Sequence, residues 1–221
     1  MNKLPSVTQV IGNIFPFDDT FFRQSLLPEG IEKKRVKWTI IEWGIADQQG
    51  YIEYDTCLDT LCYMGTKVHA HFNMRSLWIP TDIPNNFLKP YLQTMDIFIA
   101  SHPLQEVQCE LFTIFPDEYC GTMDVYCVMD GKKYIIDFKT WDIYKDFYGI
   151  KADEKYNPKL KKVQLQMSMY ARALKNQGLE VDWLLCVVIR ADKFVVYPLD
   201  YDISLYEKYL AGQAKSVLTL N

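Results

Sequence analysis

The stretch Thr122-Met123-Asp124-Val125-Tyr126-Cys127-Val128-Met129-Asp130-Gly131-Lys132-Lys133-Tyr134-Ile135-Ile136-Asp137-Phe138-Lys139 decides the fold. Two apolar runs flank Asp130-Gly131, and Asp-Gly between strand-like segments is the strongest short-range signal for a two-residue hairpin turn. Pairing Met129 with Lys132 places Asp124 across from Asp137, with Lys139 two residues further along on the same face. Side chains directly opposite in an antiparallel pair have Cβ atoms roughly 4.5–5.5 Å apart, so two carboxylates there repel unless a cation lies between them. Ile135, Ile136 and Phe138 leave the second run without a polar face, which predicts that Asp137 lies on a strand covered on both sides. A carboxylate is costly there without a partner or a metal. The simpler alternative is an ordinary cross-strand ion pair, with one acid in solvent and the other on Lys139. A one-residue bulge in the turn would undo the register.

Working outward, the N-terminal part reads as mostly helical, with segments over about 32–47, 55–76 and 85–100 and breaks near Gly50, Pro80, Pro84 and Pro103. Alternation from Val107 to Phe115 predicts a strand before the hairpin. Asn157-Pro158 opens a helix to about residue 177 that Gly178 closes. Apolar runs at 183–190 and 194–199 predict two more strands, and a last helix covers about 203–217. Helices, three strands, helix, two strands and helix, with no internal repeat, give an α/β class: a central mixed sheet flanked by helices, preceded by a helical region over 1–105. One domain is expected for 221 residues of which 49% are hydrophobic. The connection over 141–156 is long, aromatic and charged, as a loop over a site would be.

No apolar stretch reaches the length of a membrane span, and Met1 to Val10 lack the basic start and apolar run of a signal peptide, so no membrane partner and an intracellular location are expected. The six cysteines, at 57, 62, 109, 120, 127 and 186, form no C-x-x-C pair and read best as reduced thiols. The net charge of −4 argues against indiscriminate nucleic-acid binding. The charge is uneven, however: Gly131 to Lys175 carries eleven Lys and Arg against five Asp and Glu, so the basic part of the chain adjoins the hairpin acids. A solvated helix face explains such lysines equally well.

Further candidates surround the hairpin. Gln166 and Tyr170 stand four apart on one helix face, with Lys159 and Lys162 leading into the same stripe; Leu165, Met169 and Leu174 already give that helix a core face, so the pattern alone is common. Gly65-Thr66-Lys67-Val68-His69 lies in the second helical segment, and Gly65 would let that helix approach another backbone closely. Spacing does not choose between His69 and His71. Glu110 belongs to the strand before the hairpin, where an outward-facing polar residue is the ordinary reading.

Together these pieces resemble the PD-(D/E)XK nuclease superfamily, and within it the RecB-like exonucleases of phages, CRISPR adaptation and mitochondrial DNA maintenance. The resemblance spans roughly residues 65–170, and the order of its elements gives it specificity. Gly65-Thr66 and His69 match a Gly-Thr-x-x-His helix. Glu110 falls on the glutamate of the following strand. Gly121-Thr122-Met123-Asp124 matches Gly-Thr-x-Asp, and Asp137-Phe138-Lys139, followed by Thr140, matches Asp-x-Lys. Gln166 and Tyr170 match Gln-x-x-x-Tyr. Leu4-Pro5-Ser6-Val7-Thr8 is similar to the opening of several relatives. Members with an iron–sulfur cluster carry three cysteines after the Gln-x-x-x-Tyr helix, and only Cys186 follows Tyr170, so no iron–sulfur cluster is expected.

The resemblance implies that His69, Asp124, Asp137 and the Phe138 backbone carbonyl hold one or two Mg2+ or Mn2+ ions with help from Glu110, an oxygen-rich set suited to hard cations. It further implies that Lys139 offsets charge on the transition state of phosphodiester hydrolysis. Gln166, Tyr170, Thr140, Lys159 and Lys162 would hold the DNA, single-stranded or with free ends. Trp141, Tyr144, Phe147 and Tyr148 would stack on unpaired bases. The setting implied is replication, recombination or repair in the cytoplasm of a bacterial or phage-infected cell. Two other readings stay open. One is a binding module on a nuclease fold that has lost catalysis, against which the intact Asp-x-Lys and histidine weigh. The other is a structure- or site-specific endonuclease, whose chains generally lack the Gly-Thr-x-x-His and Gln-x-x-x-Tyr elements.

Overall fold

A computed structural model describes residues 4–15, 54–81, 88–141 and 158–218, with 54–64, 158–159 and 213–218 described by backbone alone. The helix expected over 32–47, and Tyr144, Phe147 and Tyr148 of the long connection, lie outside the described residues.

Asp130 and Gly131 both take positive φ, +48° and +71°, the conformation that a two-residue type I′ turn requires of both central residues. The turn joins β2 (Tyr119–Met129) to β3 (Lys132–Lys139), with Met129 facing Lys132 and Val125 facing Ile136. No bulge intervenes, so the register read from the sequence holds. β1 (Gln105–Phe115) pairs antiparallel with β2; β4 (Trp183–Ile189) lies parallel to β3; β5 (Phe194–Leu199) closes the far edge antiparallel to β4. The five strands form one mixed sheet in sequential order. The lone parallel pair needs a crossover, and α4 (Pro158–Asn176) supplies it.

Helices cover both faces. On one, α4 packs with α1 (Val7–Ile14) and α5 (Ser204–Leu218) over Met123, Tyr126, Ile135, Leu184 and Cys186. On the other, α2 (Tyr54–Ser76) and α3 (Lys89–Ser101) bury Val68, Phe72, Met95 and Phe98 against Val125, Ile136, Phe138 and Val187. Alternate residues of β3 therefore enter opposite cores, as expected for a strand covered on both sides. The architecture is the α/β class expected, a mixed sheet flanked by helices. Among the described residues no helix is long and apolar enough to cross a membrane.

Two details shape the region around Asp124. The helix α1, not anticipated from hydrophobic periodicity, starts at a capping box: Ser6 Oγ accepts from Gln9 N–H, and Gln9 Oε1 accepts from Ser6 N–H. Just before it, the Pro5 carbonyl accepts a hydrogen bond from Cys120 N–H at 3.0 Å, and Ser6 bridges to Cys120 in parallel sense. The N-terminal segment thus occupies the edge of β2 beyond the point where its ladder with β3 ends.

The second detail is a change of face. Val107 and Cys109 pack into the α2–α3 core, whereas Leu111 and Phe115 pack into the α4 core. On β2, Val125, Cys127 and Met129 belong to the first core, and Met123 and Tyr119 to the second. Strict alternation would keep odd-numbered residues on one face. The reversal is localised at Glu110, which has φ +51°, and at Asp124, which lies opposite it between the pairs Cys109–Val125 and Leu111–Met123. A positive φ costs a non-glycine residue of order 1–3 kcal/mol, and such strain is found where a side chain must be aimed.

Candidate metal centre

The β2–β3 ladder stops at Val125–Ile136, one residue short of the two acids. The register brings Asp124 opposite Asp137, but their carboxylates have separate partners. Asp124 Oδ2 accepts a hydrogen bond from Phe138 N–H at 2.9 Å, so a side chain substitutes for the missing ladder carbonyl. Asp137 is 3% exposed, with Lys139 Nζ 2.5 Å from its Oδ2. Burial pushes the Asp137 carboxyl above the ordinary carboxylate range; the Lys139 ammonium pulls it back and the Asp124 charge raises it again. At Lys139 burial acts downward, but the Asp137 and Asp124 carboxylates outweigh it and hold the amine above its usual value. Lys139 is therefore an ammonium, suited to neutralising charge and not to removing a proton.

His69 reaches this point from α2. Its Nε2 lies 2.9 Å from the Phe138 carbonyl, and because a carbonyl only accepts, Nε2 carries the proton. In the neutral ring the lone pair then lies on Nδ1, which faces Asp124 Oδ2 at 3.5 Å. A ligand imidazole oriented by a backbone carbonyl on its other nitrogen is the usual arrangement at metal sites. The Phe138 carbonyl, expected as a ligand, serves here as that orienting acceptor. The Phe138 ring fixes it, packing 4.6 Å from Phe72 and edge-on to Phe98 at 5.5 Å. Gly65 brings α2 down onto the end of β3, since a Cβ there would stand 3.3 Å from Thr140 Oγ1. The expected approach to another backbone is not what Gly65 makes: the atom it faces is the Thr140 side-chain hydroxyl.

One donor atom each from His69, Glu110 and Asp124 lies within 4.8 Å of the others, close enough for a single ion to contact all three. Two carboxylates and an imidazole are a donor set that fits Mg2+ or Mn2+, with coordination left for water or substrate. Asp137 is not in this trio. It stands behind it, buried beside Lys139.

The structure also places the remaining expected residues. Tyr170 is buried, its hydroxyl accepts from Gln166 Nε2 at 3.4 Å, and burial pushes it up to about 12. Its ring fills the space over Gly121, where a Cβ would come within 2.8 Å of Cε1. Gly121→Ala must therefore displace either the ring or the β2 backbone three residues from Asp124. The expected cost is about 1–3 kcal/mol of stability, read by urea denaturation. Lys162 Nζ donates to the Phe15 carbonyl at 3.3 Å, at the end of α1. Trp141 packs against the α4 core; the Lys159 side chain is outside the described residues. His71 belongs to a different network, with Nε2 3.0 Å from Asp96 Oδ1 and Nδ1 2.8 Å from Thr81 Oγ1. Sequence spacing does not separate the two histidines; their contacts do. Cys127 and Cys186 are free and buried, and Cys109 and Cys120 are free and half-buried.

No family model matches the chain, and no curated protein matches it. Among solved structures the chain is similar to that of SSO0001, at 13% identity over 86% of each chain with a TM-score of 0.34, a likeness too distant to bear on function.

Proposed function

We propose that the chain is a divalent-metal-dependent nuclease, hydrolysing phosphodiester bonds of DNA at a centre made by His69, Glu110 and Asp124 with Lys139 beside it. The observation that carries this reading is the convergence of those three donors at a fork in the sheet, beside the buried Asp137 and its partly exposed partner Lys139. The order of motifs that resembles RecB-like exonucleases supports it independently.

A bound Mg2+ or Mn2+ supplies Lewis acidity and offsets the charge of a phosphate. The chain's own residues supply the rest. His69 presents Nδ1 because its other nitrogen is held by the Phe138 carbonyl. Asp124 is fixed by the Phe138 N–H. Glu110 is turned toward the trio by its own strained backbone. Asp137 keeps Lys139 protonated and in place, and the ammonium stabilises negative charge developing on the phosphate oxygens.

The test is incubation of the protein with end-labelled single strands, duplexes and closed circles in Mg2+, Mn2+ or chelator. Shortening of strands with free ends in either metal, and none in chelator, is expected. Intact products under all conditions would refute the reading, and cutting of closed circles at discrete sites would replace an exonuclease by an endonuclease.

A further inference from the structure

The change of face at Glu110 and Asp124 has an effect on the outer half of the β1–β2 hairpin. Beyond it, Leu111, Thr113 and Phe115 turn toward the α4 core, so the intervening Phe112 and Ile114 point to the opposite side. That is the side of α2 and α3, and there the end of α2 meets β1 at Cys109, whose Sγ lies 3.3 Å from Ser76 Oγ. Phe112 is 55% and Ile114 40% exposed, and their partners across the ladder, Thr122 and Cys120, are exposed and half-exposed. A flat, apolar shelf results. It begins two residues from Glu110 on one strand and two from Asp124 on the other, about 7 Å along the strand.

We propose that this shelf, and Phe112 above all, is a platform on which an unpaired nucleobase next to the scissile phosphate stacks. The inference rests on the nuclease reading and extends it to a substrate class: strand with unpaired bases at the centre. Continuity decides the occupant. A strand whose phosphate sits at His69, Glu110 and Asp124 has its neighbouring nucleotide over Phe112, and there it meets an aromatic face and an aliphatic side chain with no fixed charge. A paired base inside a duplex offers no face to such a shelf, because both its faces are stacked on neighbouring pairs. An unpaired base does, and stacking on an aromatic is tolerant of sequence. β1 is also an edge strand whose other end is irregular, with a register shift between Gln105 and Gln108 and Glu106 at φ +49°. That irregularity blunts strand addition, which makes an added β-strand a poorer occupant.

The probes are a fluorescent oligodeoxythymidylate and the same strand with abasic positions, measured by anisotropy in Ca2+ and by single-turnover cleavage in Mn2+, with the Mn2+-induced shift in melting temperature as a separate readout. Phe112→Ala is expected to weaken binding of the normal strand about tenfold, to leave binding of the abasic strand unchanged, and to keep the Mn2+ shift. Phe112→Tyr should restore most of the loss. Equal affinity of wild type and Phe112→Ala for the normal strand overturns the platform, as does a wild type indifferent to abasic positions, or a Phe112→Ala variant that loses the Mn2+ shift together with binding. If wild type shows neither a Mn2+ shift nor cleavage, the nuclease reading fails instead; base-dependent binding through Phe112 would then stand by itself.

Discussion

Asp124→Asn is expected to remove divalent-dependent cleavage, with a loss larger than the roughly 10–100-fold typical when an outer-shell partner of a metal ligand is mutated. The substitution is conservative for the fold: an asparagine oxygen still accepts from Phe138 N–H, the hydrogen bond that closes the fork between β2 and β3. What it removes is one negative charge from a trio whose other acid is Glu110. Wild type should melt at a higher temperature in Mn2+ than in chelator, because an ion that binds only the folded state stabilises it by mass action. The variant should show the chelator value under both conditions. Cleavage by Asp124→Asn within severalfold of wild type would remove Asp124 from the reaction.

The second large effect is at Lys139. Lys139→Met should lower the single-turnover rate about 100–1,000-fold, the usual result of deleting one donor that stabilises developing charge. Its effect on stability depends on pH. Asp137 is buried and already binds its proton more tightly folded than unfolded, because burial outweighs the ammonium. Without Lys139 that imbalance grows. The folded state then holds a proton that the unfolded chain releases above the ordinary value of 3.8, so stability falls as pH rises from there through the raised folded-state value. The variant's deficit in urea melts should be small near pH 4 and reach about 3 kcal/mol at pH 8, the scale of breaking a buried ion pair. A deficit that is the same at both pH values would mean that Asp137 does not depend on Lys139.

Much of this architecture could be read from local rules. Asp130-Gly131 permits one tight turn, which sets the register and brings Asp124 and Asp137 to the same level. The bounds expected for the described helices and strands lie within a few residues of those observed, because periodicity and the Gly178 and Pro158 punctuation are strong. Ser6 and Gln9 also carried a readable signal, a capping box, and α1 could have been found from it. The geometry of the site was less accessible. That Glu110 adopts positive φ has no local signature in its residue type, and it is this backbone reversal, with Asp124 opposite, that aims the two acids and exposes Phe112. Pairing taken one residue past the end of the ladder brings the two aspartates to one level, and the Lys139 ion pair weighed as the simpler alternative is the one Asp137 makes; what local reading misses is that Phe138 N–H holds Asp124. Likewise, no local pattern in the basic helix foretells that Lys162 donates to the Phe15 carbonyl at the end of α1. These are long-range contacts, which no window of sequence contains.

The proposed chemistry requires a cation held by residues from α2, β1 and β2. Calorimetric titration with Mn2+, after chelation and dialysis, of the protein and of His69→Ala, Glu110→Gln and Asp124→Asn reads that binding. Saturable binding in wild type, weakened at least about tenfold in each variant, is predicted. Absence of binding in wild type, or affinity unchanged when all three positions are substituted together, would contradict it.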